Sequence, residues 1–227
     1  MSISLRALPL AACLIFSPTL FAGSSGYAVG LKLGVLLGAG IEGTAGLIDD
    51  KLNLRVGFNG GKIEFDDLEL ESDSAAQSGM DVDADFDFGS IQAFADFYPF
   101  AGRFRVTGGV LANGNKVNGS AVCNSPGGCN VAGETFLQGD RADLTVEWEG
   151  VAPYLGFGFG NPVSGDKGLG FMFDLGIALQ GSPDTRFTTN SSSCGSSCQA
   201  TIEDELEEET EQFDVLPVIS FGLNFQF

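Results

Sequence analysis

Carboxylates are the most frequent groups in this chain that could do chemistry, and they are clustered. Asp66, Asp67, Glu69, Glu71 and Asp73 lie just ahead of Asp81, Asp83, Asp85 and Asp87, which alternate along one side of an extended segment. A third group runs through Glu203, Asp204, Glu205, Glu207, Glu208, Glu209 and Glu211. A rim of carboxylates concentrates cations and repels anions. Asp66, Asp81, Asp83, Asp85 and Asp87 are therefore expected to form a cation-attracting mouth, acting as a selectivity filter or a shelf for divalent ions. A solvated loop face gives the same composition. Asp81-x-Asp83-x-Asp85 is not a calcium loop, because Phe86 stands where the turn needs glycine. No metal site and no cofactor is expected.

The 227-residue chain contains no histidine. Hydrolases and acyltransferases that need an imidazole base or water activator have none here, so the chain is expected not to be an enzyme. Gly38-Ala39-Gly40-Ile41-Glu42-Gly43 fits a dinucleotide fingerprint on paper, but no βαβ unit surrounds it. Cys123 lies close to Cys129, and Cys194 to Cys198. In an oxidising compartment such spacings favour two local disulfides that stiffen loops, and neither spacing is the usual one for a zinc site.

The elements that would position these groups begin after an export signal. Arg6 supplies a positive start, Ala7 to Phe21 an apolar stretch interrupted by Pro9 and Pro18, and Ala22 a small residue for cleavage. Residues 1–22 are thus expected to be a signal peptide and 23–227 the mature domain. Leu10-Ala11-Ala12-Cys13 also matches a lipoprotein box, but the apolar run continues past the cysteine. Without Arg6 the mature part has one fewer than the 11 basic residues of the chain, against 30 acidic ones. That balance excludes general attraction to nucleic acid and makes cations the natural partners.

Alternation with a period of two is the organising signal. Leu169, Phe171, Phe173, Leu175, Ile177 and Leu179 share one face, opposite glycines, Met172 and Asp174. A broad Phe and Leu face suits lipid, and small residues with isolated charges suit a narrow barrel interior. Eight strands are expected, over 27–35, 38–48, 52–66, 81–98, 104–117, 140–160, 169–188 and 213–227. Tight connections alternate with long ones, as short periplasmic turns and long outer loops would. The expected fold is an all-β, eight-stranded antiparallel transmembrane barrel in the outer membrane of a Gram-negative cell.

Two strands change the phase of their apolar pattern, at Gly89 and Gly150. The expectation is a bulge at each, with Phe86, Phe88 and Trp148 facing outward and Tyr98 and Trp148 marking interfacial girdles. On that parity the interior collects Lys32, Glu42, Arg55, Asp96, Arg105, Glu147, Tyr154 and Asp174. Arg55, Asp96, Arg105 and Asp174 would shape the lumen, either as a filled salt-bridge network or beside a hydrated cation path. At the end of the chain Ile219, Phe221, Leu223, Phe225 and Phe227 alternate, resembling the terminal strand by which outer-membrane barrels are recognised for assembly.

Val151-Ala152-Pro153-Tyr154-Leu155-Gly156-Phe157-Gly158-Phe159, Asp174-Leu175-Gly176, Gly181-Ser182-Pro183, Leu216-Pro217-Val218 and Gly222-Leu223-Asn224-Phe225 carry a family resemblance. Together with Val56-Gly57-Phe58-Asn59-Gly60-Gly61 upstream, they resemble the carbapenem-associated, ornithine-uptake type of outer-membrane protein. The likeness is best over the last third, and the cysteine pairs depart from the family's pattern. It implies an eight-stranded barrel linked to entry of small basic solutes. The expected function is passive uptake or binding of small cationic solutes through the acidic mouth. The alternative is a non-conducting structural or surface-interaction barrel. Expected partners are outer-membrane lipids and lipopolysaccharide, the barrel assembly machinery, and small basic solutes or divalent cations.

Overall fold

The structure, a computed structural model, describes residues 2–5, 26–69, 80–131, 134–164, 167–210 and 214–227. Most of the expected leader, and Glu71, Asp73, Glu211 and Phe213, lie outside the described residues. Eight strands close into a ring: β2 (Tyr27–Val35), β3 (Gly38–Ile48), β4 (Leu52–Glu69), β5 (Met80–Phe97), β6 (Phe104–Cys123), β9 (Arg141–Phe159), β10 (Gly168–Leu179) and β12 (Val215–Gln226). All neighbours are antiparallel, and β12 pairs with β2 to shut the barrel. A closed ring leaves no strand edge to satisfy in hydrocarbon, which is the condition for crossing a membrane with strands. The short β1 (Ser2–Leu5) adds to β4 at Ile63 to Asp66.

Around the ring the apolar side chains face out. Leu31 and Leu33 of β2, Leu155 and Phe157 of β9, Leu169 and Phe171 of β10 and Leu223 and Phe225 of β12 are all exposed, with Leu169 at 83%. The alternate residues Lys32, Glu42, Arg55, Asp96, Arg105 and Asp174 are buried. Polar residues inside and apolar ones outside is the inverse of a soluble sandwich and the pattern of a membrane barrel. The nine residues of β2 match the ~9–11 that a tilted strand needs to span hydrocarbon. Phe100, Phe104 and Phe159 form a chain of ring contacts at the short-turn end, where outer-membrane barrels carry an aromatic girdle.

On the other side the wall is uneven. The β2–β3 hairpin turns at once through Leu36 and Leu37, whereas β4, β5, β6 and β9 continue well beyond it. Their register is unbroken across both expected bulge sites: β6 and β9 pair continuously from Phe104↔Phe159 to Val122↔Arg141, and β5 keeps one register with β6 throughout. The register shifts occur elsewhere, at Phe65/Leu68 and Gly46/Ile48. Parity therefore does not change at Gly89 or Gly150; the surroundings do. Below these glycines the outward residues are apolar, which suits lipid, and above them they are largely charged, which suits water.

The expected strand 169–188 is two strands. Gly181 has φ +75° and Pro183 lacks an amide donor, so the ladder stops at Leu179 and resumes as β11 (Asp184–Thr189) against the far part of β9. Beyond it stand the hairpin of β7 (Cys129–Val131) and β8 (Glu134–Phe136) and the helix α1 (Ser196–Thr210).

Candidate functional site: a filled lumen beneath an outer chamber

The inward positions of β5, continued by Tyr98 just beyond its end, trace the axis of the molecule. From the short-turn end they read Tyr98, Asp96, Phe94, Gln92, Ser90, Phe88 and Phe86. Tyr98 is buried, with its hydroxyl accepting from Asn53 and donating to the Gly160 carbonyl. It is a lumen residue and not the expected girdle residue, because it shares the parity of Asp96.

Asp96 belongs to a network centred on Arg55. The Arg55 guanidinium donates to Asp174 at 2.9 Å and 3.0 Å and to Asp96 at 3.0 Å, and reaches Glu42 at 3.5 Å. Arg105 donates to Asp174 at 2.7 Å and to the Gly160 carbonyl at 2.6 Å. Thr107 donates to Asp96 at 2.7 Å, while Lys32 donates to Gln92 at 2.7 Å and lies 3.9 Å from Glu42. Lys32, Arg55 and Arg105 thus face Glu42, Asp96 and Asp174, so the charges cancel. Each buried ion would cost several kcal/mol alone, and the bidentate geometry offsets that cost.

Phe94 lies 5.5 Å from the Arg55 guanidinium and stacks on Tyr154 at 4.3 Å. Leu37, Leu111, Ala152, Ala178, Leu216 and Val218 pack with these rings into an apolar layer. Leu37 enters it from the β2–β3 hairpin, where Leu36 takes φ +62° to make the tight turn. At this level the described residues pack the interior with paired charges and apolar side chains. Arg55, Asp96, Arg105 and Asp174 are brought together as the lumen set.

Glu147 is not in the lumen. It lies opposite Lys116, 3.7 Å away, on the outer face of the extended sheet. The expected bulge at Gly150 put it inside, and the unbroken register puts it outside. Lys62, with Glu64 at 3.0 Å and Asp85 at 3.4 Å, shares that face. Hydrogen bonding to Glu64, then to Asp85, raises the Lys62 ammonium above its ordinary pKa.

Asp81 and Asp83 are exposed on the same side as Asp85 and Asp87, opposite Phe86 and Phe88. Asp81 accepts from Asn124, and Asp83 acts on Arg141 across the sheet. The Asp66 backbone belongs to β4, and its side chain lies outside the described residues. Of these, Asp85 pairs with Lys62 on the convex surface, where Lys116 with Glu147 and Arg141 with Asp143 pair as well; the lumen axis is walled by other residues.

Those residues form a chamber of about 330 Å³ lined by Phe86, Phe88, Val117, Val146, Trp148 and Pro217, with Leu36 and Leu216 at its floor. Trp148, expected in a membrane girdle, lines this chamber because its parity is that of Ala152 and Tyr154. Further out, Cys123, Cys129, Phe136, Ala142, Phe187, Cys194 and Ile202 make a second small core, with Met80, Cys198 and Leu206 packed on it. The disulfides are Cys123–Cys129 and Cys194–Cys198, the local pairs expected. Glu203 of α1 accepts from the Phe187 amide at 2.7 Å, holding the helix to β11.

Sequence reading missed the chamber. Phe86 and Phe88 share the parity of Phe94 and Asp96, and following that parity through Gly89 would have placed them inside.

No family model and no curated protein matches the chain. Among solved structures it is similar to CarO2 of Acinetobacter baumannii, with TM-score 0.62 and 20% identity over 90% of this chain and 99% of that one. It is also similar to CarO of Acinetobacter baumannii, with TM-score 0.59 and 19% identity over 88% of this chain and 97% of that one. A closed ring of eight strands, an apolar exterior and a neutralised polar interior give the chain a membrane-type β-barrel, and its fold is that of these CarO structures.

Proposed function

We propose that this outer-membrane barrel does not conduct and that it acts at its outer end. The observation that carries this reading is the filled lumen: three cations locked to three carboxylates, beneath the Phe94–Tyr154 stack and Leu37. A permeating ion would have to displace guanidinium groups from bidentate partners, which leaves buried charges without compensation. Passive uptake of small cationic solutes is the other reading. It draws less support, because Asp83 and Asp85 stand on the convex face of the sheet and not around the axis. On the favoured reading the girdle anchors the barrel among envelope lipids, and the disulfide-braced cap presents a stable surface outside the membrane.

Planar-bilayer recording on heat-modifiable, folded protein tests the proposal. Silence at all voltages is the expected result, and discrete cation-selective steps would overturn it.

A further inference from the structure

The chamber above the plug has the properties of a ligand site. Phe86 and Phe88 of β5, Val117 of β6, Val146 and Trp148 of β9 and Pro217 of β12 wall a space of about 330 Å³. That lies within the about 300–1,000 Å³ of small-molecule pockets, which are mostly apolar with a few placed polar groups. Its floor is the apolar layer of the plug and its outer neighbour is the disulfide-braced core, so packed structure lies on both sides.

The polar groups at its edge are almost all engaged. Asn115 accepts from the Gly89 amide and donates to the Leu36 carbonyl. Gln180 accepts from Asn113, and Lys116 faces Glu147. Among the described lining residues, the Trp148 indole nitrogen alone is a buried polar side-chain atom without a partner. A buried donor that gives up water without gaining an acceptor is destabilising, and a ligand that brings an acceptor removes that cost. Charge narrows the ligand further, because the mostly apolar lining penalises an ion of either sign, and Asp87 at its edge, with the other carboxylates of the outer face, repels anions.

We propose that this chamber binds a small uncharged apolar molecule carrying a hydrogen-bond acceptor, which meets the Trp148 indole N–H. The site rests on the closed-lumen reading only in that the plug is its floor.

Trp148 is the chain's one tryptophan, so its emission reports the chamber directly. The folded full chain in detergent is titrated with 7-methoxycoumarin, an uncharged bicyclic probe whose carbonyl accepts hydrogen bonds and whose absorption overlaps tryptophan emission. Saturable quenching is expected. Val146→Phe and, separately, Val117→Phe fill the space and should raise the half-saturation concentration by about tenfold or more. Heat-modifiable migration certifies that each variant is folded, and two variants guard against one failing to fold. The 7-methoxycoumarin-3-carboxylate anion should give only linear quenching. The proposal is overturned if quenching by the neutral probe is linear and equal in wild type and filled variants, or if the anion saturates at the same concentration. Bilayer currents with saturable quenching retained would remove the closed-lumen reading and leave the site. Silent bilayers without saturable quenching would do the reverse.

Discussion

The same strands carry opposite patterns in their two halves. Along β5, the segment from Ser90 to Phe97 puts Gln92 and Asp96 inside and Ile91 and Phe97 outside; the segment from Asp81 to Phe88 puts Phe86 and Phe88 inside and Asp81 and Asp83 outside. The outward face of β9 changes likewise, from the exposed apolar Leu155 to Glu147 beside Lys116. No residue is inserted at the change, since the register with β6 runs straight through. Side-chain direction is set by the pleat, whereas which side chains belong in each direction is set by the solvent outside. In hydrocarbon the apolar face looks out; in water it looks in.

Substitutions break or sharpen this contrast. The largest effect is expected from Arg55→Met, which leaves Asp96 and Asp174 short of a buried partner at a cost of about 3–5 kcal/mol. Urea unfolding in detergent micelles measures it, and a loss below 1 kcal/mol would show that the lumen is hydrated enough to solvate free carboxylates.

Next comes the lipid face. Leu155→Arg places a charge among exposed apolar residues of β9 and should cost about 2–4 kcal/mol in lipid vesicles. Ser120→Arg, on the convex face opposite Asp83, should stay within about 0.5 kcal/mol. Equal costs at the two positions would refute the placement of the membrane boundary at the glycines.

Replacing Cys123 and Cys129 with serine should loosen the cap by about 2 kcal/mol, as expected for a closed loop of this length. Limited proteolysis should then cut within the cap while the barrel stays protected; joint loss of both would mean that the two halves unfold as one unit. The smallest effect belongs to Glu147→Gln. Its exposed pair with Lys116 is worth less than about 1 kcal/mol, and a larger loss would place Glu147 back in the lumen.

Much of the barrel was legible from residues alone, because lipid and a narrow interior impose different chemistry on alternate positions. The strands 27–35 and 38–48 were read to the residue, and the Arg55, Asp96, Arg105 and Asp174 set was placed inside by parity. The outer half was misread for the same reason. A rule that puts aromatics in lipid turns Phe86, Phe88 and Trp148 outward, so a bulge was needed at Gly89 and Gly150 to reconcile the phases. The break at Gly181-Ser182-Pro183 was visible in composition, but the return of β11 to β9 was not, because pairing partners far apart in sequence leave no local mark.

By itself the sequence determined the antiparallel barrel, its apolar exterior, the local pairing of the cysteines and the identity of the charges that fill the lumen. Each follows from a period of two, from spacing, or from the cost of an ion in a crowded interior. Only the tertiary structure decided where lipid ends, that Leu37 folds into the barrel, and that an apolar chamber lies above it. Those depend on strand length relative to neighbours and on register carried across the sheet, quantities that become defined when the ring closes.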